Sequence, residues 1–203
     1  VLVSKSNFYY RFAKLIFGLA IYGTGLGMMV HAGIGIPPWD VLAQGLSIQS
    51  TLTFGQATIL VSLIVMLFWI PLKVKPGIGS VLNAILVGLF ADLTMPFWPE
   101  IDNYLLNLAL FIAGLLVISY ATGLYISCGF GKGPRDGLMM GLAKKFNAPF
   151  WITRTSVEII VVTLGFVLGG QVREGTLLFA LSIGYLNQLS MRLFGLADKS
   201  GRV

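Results

Sequence analysis

The sequence holds one cysteine and one histidine in 203 residues, and only 11% of its residues are charged. A lone cysteine, Cys128, excludes an internal disulfide and a multi-cysteine metal site. With His31 as the only histidine, a histidine metal centre would need a carboxylate cluster, and the eight acids are scattered along the chain. There is no Ser/His dyad, no G-x-S-x-G elbow, no metal-ligand cluster and no Gly-rich phosphate loop. The glycines Gly33 and Gly35 lack the preceding strand and third glycine of a dinucleotide fingerprint. An enzyme is therefore not expected, and no cofactor is called for. A soluble domain would carry about 25% charged residues to solvate its surface, so the shortage of charge argues against one.

What is present is apolar, 56% of the chain. Roughly 20 apolar residues cross a hydrocarbon core of about 30 Å, and six segments are long enough: about 10–32, 54–72, 78–97, 104–128, 150–168 and 176–195. The first is too long for a signal-peptide core and has no small-residue cleavage site after it, so it reads as a retained span. Two further stretches, 38–49 and 134–146, are helical in pattern but too short to cross. Each opens with a proline, Pro38 or Pro134, followed two residues later by Asp40 or Asp136, as suits a first helical turn. The expected fold is an all-α polytopic membrane protein occupying 1–203 as one membrane domain.

The net charge of +6 does not indicate nucleic acid, because the basic residues lie in short segments between helices. If both short helices enter and leave by one face and both termini are cytoplasmic, the basic residues fall largely on one side. Lys5, Arg11, Lys14, Lys73, Lys75, Lys132, Arg135, Lys144, Lys145, Arg192, Lys199 and Arg202 lie at or near the cytoplasmic face. Outside remain Glu100, Asp102, Glu174 and a single basic residue, Arg173. Letting the short helices cross fully scatters the lysines and breaks the positive-inside pattern. The bacterial cytoplasmic membrane, with both termini inside, is the expected location.

The sequence also repeats. Shifted by 96 residues, it overlays itself without gaps. GIGIPPWDVLAQGL from Gly33 lies on GFGKGPRDGLMMGL from Gly129, and Gly79/Gly175, Gly88/Gly184 and Met95/Met191 keep the same register. Repeat 1 covers about 8–97 and repeat 2 about 104–195. Each comprises three transmembrane helices plus one short re-entrant or interfacial helix. Three crossings per unit force the second unit to insert upside down, an inverted-topology duplication of the kind common in transporters. Duplication that merely built a stable bundle is the competing explanation. Irregular backbone at membrane depth survives only when buried in protein or lining a cavity, which favours a site at the short helices.

The two P-x-D segments, PGIG from Pro76, GPRDGLMMGL from Gly133 and the following R-x-x-x-E of Arg154 and Glu158 resemble the YczE/YitT-type bacterial membrane proteins over nearly the whole chain. The resemblance implies a polytopic inner-membrane protein of undefined, transporter-like activity. It supplies no substrate and no functional residues.

Candidate site residues follow from the cost of polar groups in lipid. Arg154 and Glu158 stand one turn apart in the fifth span, suited to an ion pair that is either a clamp or a gate. Asp92, with Gln188 as its counterpart, is either a proton-coupling carboxyl or a hydrogen-bonded interfacial residue. Asn83 and the Asn187–Gln188 pair either line a hydrated path or bond across helices. Asp40 and Asp136 are expected to accept backbone N–H groups of their own first turns. Between the P and D positions the copies diverge. Arg135 at a helix N-terminus attracts an anion, while Trp39 suits a cation, an apolar contact or an interface. These two are expected to face a permeation path from opposite ends.

The expected function is a transporter or facilitator of an unidentified small molecule or ion, in contact with the lipid bilayer and capable of homo-oligomerisation. The alternative is a substrate-binding or accessory membrane subunit acting with a partner.

Overall fold

Capping residues set most of the helix limits in the computed structural model, which describes residues 7–196. The Asn7 side chain accepts the Tyr9 N–H to open α1 (Phe8–Ala32), which Gly33 ends in a left-handed turn at φ 65°. Pro38 opens α2 (Pro38–Ile48), and a Thr53/Gln56 capping box opens α3 (Phe54–Leu67). Next come α4 (Ile78–Thr94), prolonged by a 3-10 turn at Met95–Phe97, and α5 (Tyr104–Ile126), capped by Asn103. Pro134 opens α6 (Pro134–Phe146), which Asn147 closes at φ 49°. The last two are α7 (Phe150–Val167) and α8 (Glu174–Leu193).

The described residues contain these eight α-helices and no strand. Four are long and apolar enough to span: α1, α4 with its 3-10 turn, α5 and α7. The two other expected spans differ from expectation. The segment expected at 54–72 is helical only to Leu67, 14 residues. Pro71 donates no N–H and disfavours helix at Ile70, so the chain turns instead. Helix α8 has 20 residues, but Ser182, Asn187, Gln188 and Ser190 dilute its apolar character. Lys5, Lys199 and Arg202, part of the positive-inside pattern, lie outside the described residues.

The core is centred on α1, which packs against α4 and α5. Glycines permit these approaches. Gly23 and Gly27 face Ala91 of α4, whereas Gly25 faces Val117 and Ile118 of α5. Gly18 meets Tyr125 and Gly114 meets Met28 and Met29, so α1 and α5 run antiparallel. The short helix α2 packs chiefly on α7, and α6 contacts α3 and α7 alike.

Two backbone bonds join the N-termini of α4 and α8 to distant loops. The Gly79 N–H donates to the Phe130 carbonyl at 2.9 Å, and the Gly175 N–H to the Ile34 carbonyl at 2.8 Å. Both donors and both acceptors are 96 positions apart. The receiving loops also match: Gly33 and Gly129 sit at φ 65° and 70°, and Gly35 and Gly131 at 125° and 130°. Only glycine adopts this last conformation without strain.

The α3–α4 and α7–α8 pairs differ. Gly55 and Gly88 bring α3 and α4 into backbone contact, and a Cβ at either would overlap the carbonyl oxygen of the other. At the corresponding place on α8, a Cβ at Gly184 meets nothing within 4 Å. Trp151 occupies the position equivalent to Gly55 and is largely exposed, so the glycine pair of α3 and α4 has no counterpart there.

Candidate functional site

The N-termini of α2 and α6 meet inside the molecule at a cavity of about 80 Å³. Their meeting is fixed by a charge pair. Arg135 Nη1 donates to Asp40 Oδ2 at 3.0 Å, and Nη2 makes a second, shorter bond to Oδ1. The Asp40 side chain is 1% exposed and that of Arg135 19%, since Arg135 also lines the cavity. The guanidinium lies 5.9 Å from the centre of the Trp39 ring, within cation–π range. A planar guanidinium matches both oxygens of a carboxylate, which Lys at this position would not do. Trp69 at the end of α3 fixes the other side, its indole N–H donating to the Pro134 carbonyl at 3.1 Å.

Two sequence expectations change here. Asp40 makes no capping bond to its own helix; its oxygens are taken by Arg135, a stronger charge-assisted partner than a backbone N–H. Trp39 and Arg135 do not stand at opposite ends of a path. They lie side by side at one cavity, because the N-termini of α2 and α6 meet there.

Arg154 and Glu158 form the pair their spacing indicates, with Nε to Oε1 at 2.8 Å, and both line the same cavity. Asp136 also lines it. Contrary to expectation it does not cap its own first turn, and it has no hydrogen-bond or ion-pair partner among the described residues. Asn83 lines it as well. Two buried polar atoms of lining residues lack partners, the Trp39 indole N–H and the Asn187 Oδ1. Unmet groups of this kind are costly in a low-dielectric interior, and a polar occupant removes the cost. The cavity thus lies among two compensated charge pairs, the Asp136 carboxylate and two buried polar groups without a hydrogen-bond partner.

Asp92 and Gln188 are not among the lining residues. Asp92 accepts the Gly55 N–H at 2.7 Å and a short bond from the Thr53 hydroxyl. It clamps α4 to the start of α3, the hydrogen-bonded of its two sequence readings.

The cavity also takes residues that composition did not single out. Tyr22 of α1 with Thr122 and Tyr125 of α5 form one wall, and Thr58 and Ser62 of α3 another. A signal for the last two existed, since they stand 96 positions before Arg154 and Glu158. The same offset relates Pro38 to Pro134, Trp39 to Arg135, Asn83 to Phe179 and Val87 to Ile183, all of them lining residues. A cavity that draws both members of so many pairs lies where the two copies of the sequence pattern meet.

Helices of this length and apolarity around a polar centre define a polytopic helical membrane protein. It belongs to the family of unknown function DUF6198, whose pattern matches residues 9–192. The chain is 40% identical over 185 residues to an uncharacterized protein of Haemophilus influenzae, covering 91% of this chain and 85% of that protein. It is 30% identical over 192 residues to the uncharacterized membrane protein YczE of Bacillus subtilis, covering 94% and 86%. The uncharacterized protein YyaS of the same organism is 27% identical over 178 residues, covering 86% and 89%. The YczE-type resemblance read from the motifs is borne out. No solved structure matches the chain.

Proposed function

We propose that this protein is a transporter or facilitator of a small polar solute, held in the cavity between two halves inserted in opposite senses, about 8–97 and 104–195. The observation that carries the reading is the convergence of both short helices, joined by Arg135 and Asp40, on a polar cavity lined by residue pairs 96 apart. Support also comes from the antiparallel run of α1 and α5 and from the reciprocal bonds of Gly79 and Gly175. Short helices ending at mid-depth are how many transporters present polar groups to a solute without exposing backbone to lipid. In this reading the solute crosses unchanged, and both termini are cytoplasmic.

Transport is tested with the purified chain in liposomes, screening ions and small polar solutes for flux. Arg154→Gln, Glu158→Gln and Asp136→Asn should each lower flux about ten- to a hundredfold, the worth of a hydrogen bond to a charged group. Asp92→Asn should act through stability, with flux per folded molecule retained. Solute binding without flux would move the assignment to a subunit that works with a partner. Flux unchanged in all three cavity variants would reject the site.

Orientation has its own measurement. Cys128 is buried, so the natural chain should label weakly. Cysteine placed at exposed Lys75 should react with an impermeant maleimide only after the membrane is opened from the cytoplasmic side. Cysteine placed at Asp102 should react in intact cells. The reverse pattern would overturn the inward termini.

A further inference from the structure

A second recess lies away from the central cavity, between the α3–α4 segment and α6, with a volume of about 660 Å³. Its walls carry Lys73, Lys75, Lys132, Lys144 and Lys145, and no acid lines it. These are five of the six lysines among the described residues, all five exposed. The floor is apolar and shaped: Trp69 lies against Gly137, where a Cβ would overlap the indole, and Gly141 faces Leu72 and Val74. A preference for basic residues on one membrane face accounts for lysines on that face. It does not account for their gathering around one recess.

The backbone adds an independent observation. Lys73 has φ 54°, in the left-handed region. Its counterpart 96 positions on is Gly169, also at positive φ, 94°. At a turn where one copy uses the residue that adopts this conformation freely, the other carries a lysine against its steric preference. The other four lysines likewise correspond to uncharged residues: Gln171, Ile36, Ile48 and Gln49. The lysine ring is therefore an addition to one copy only.

We propose that this recess binds a phosphate-bearing anion, with the lysine ammonium groups as its donors and the Trp69 side forming an apolar base. Flexible lysines converging from several sides suit a phosphate, which accepts from many directions, better than a planar carboxylate. The anionic phospholipid headgroup and free phosphate compounds share this chemistry. The inference is independent of whether the central cavity transports.

The test uses the purified full-length chain in neutral detergent. Binding of phosphatidylglycerol, phosphatidylcholine and inorganic pyrophosphate is measured by native mass spectrometry and by shift of the melting midpoint. Retention of phosphatidylglycerol over phosphatidylcholine is expected, weakening as salt is raised. Pyrophosphate that competes with the lipid would show that free phosphates also enter; pyrophosphate binding without lipid preference would assign the recess to a soluble ligand. Each lysine removed, as in Lys144→Gln with Lys145→Gln, should weaken binding by about fivefold. Lys73→Gly is the sharper variant, because it suits the backbone: it should melt close to the parent and still bind more weakly. Equal retention of the two lipids with no pyrophosphate binding would overturn the proposal, as would binding undiminished in these variants.

Discussion

Arg135→Gln is expected to be the most damaging single polar substitution in the chain, lowering stability by about 3–5 kcal/mol. The reason is what it leaves behind. Asp40 is 1% exposed and has no other ion-pair partner among the described residues, so its carboxylate would remain buried without a countercharge. The cost is the desolvation of an unpaired ion, larger than the net value of the pair itself. For a chain of this length the loss corresponds to a fall of roughly 6–20 °C in melting temperature. Asp40→Asn should cost less than Arg135→Gln, because Arg135 faces the cavity and retains access to Asp136. The double variant, Asp40→Asn with Arg135→Gln, should recover much of the loss, since two neutral amides can bond to one another. Thermal melting in detergent of the two single variants and the double closes this cycle. Equal and additive losses would show that the pair does not hold the short helices together.

The second large effect distinguishes two glycines that the sequence pattern treats as equals. Gly88→Val should destabilise the fold by about 1–3 kcal/mol or more through overpacking. Gly184→Val, 96 positions later, should change stability by no more than about 0.5 kcal/mol. At Gly88 a new Cβ overlaps the Gly55 carbonyl and presses on Ile59, and α3 cannot retreat without breaking the Asp92 bonds to Thr53 and Gly55. At Gly184 there is open space. Melting curves of the two variants give the comparison directly. Similar losses at both would mean that α7 and α8 close on each other as tightly as α3 and α4.

Several features were legible before any coordinates because they depend on local chemistry. The proline at each short helix start, Pro38 and Pro134, together with the absence of enough apolar residues to cross, placed α2 and α6 to within a residue. The i, i+4 spacing of Arg154 and Glu158 is a statement about one helix, and the pair forms. Reading failed where the partner lies far along the chain. Asp40 looked like a cap for its own helix because nothing local names Arg135, 95 residues away, as its partner. For Asp92 the choice between proton coupling and a hydrogen-bonded interfacial role stayed open, because Thr53 and Gly55 come beside it only when α3 docks on α4.

By itself, then, the sequence determined the solvent, the helices, the short helix in each half and the 96-residue correspondence. The first three follow from hydropathy and steric limits acting over a few neighbouring positions, and the last from residue identities compared at a fixed offset. Only the tertiary structure decided that the short helices meet end to end, that Trp39 and Arg135 stack beside one cavity, and that five lysines surround another. Those outcomes depend on which helix faces approach one another. That is set by glycines such as Gly25, Gly55 and Gly88 fitting backbone against backbone, a property of two surfaces and not of either segment alone.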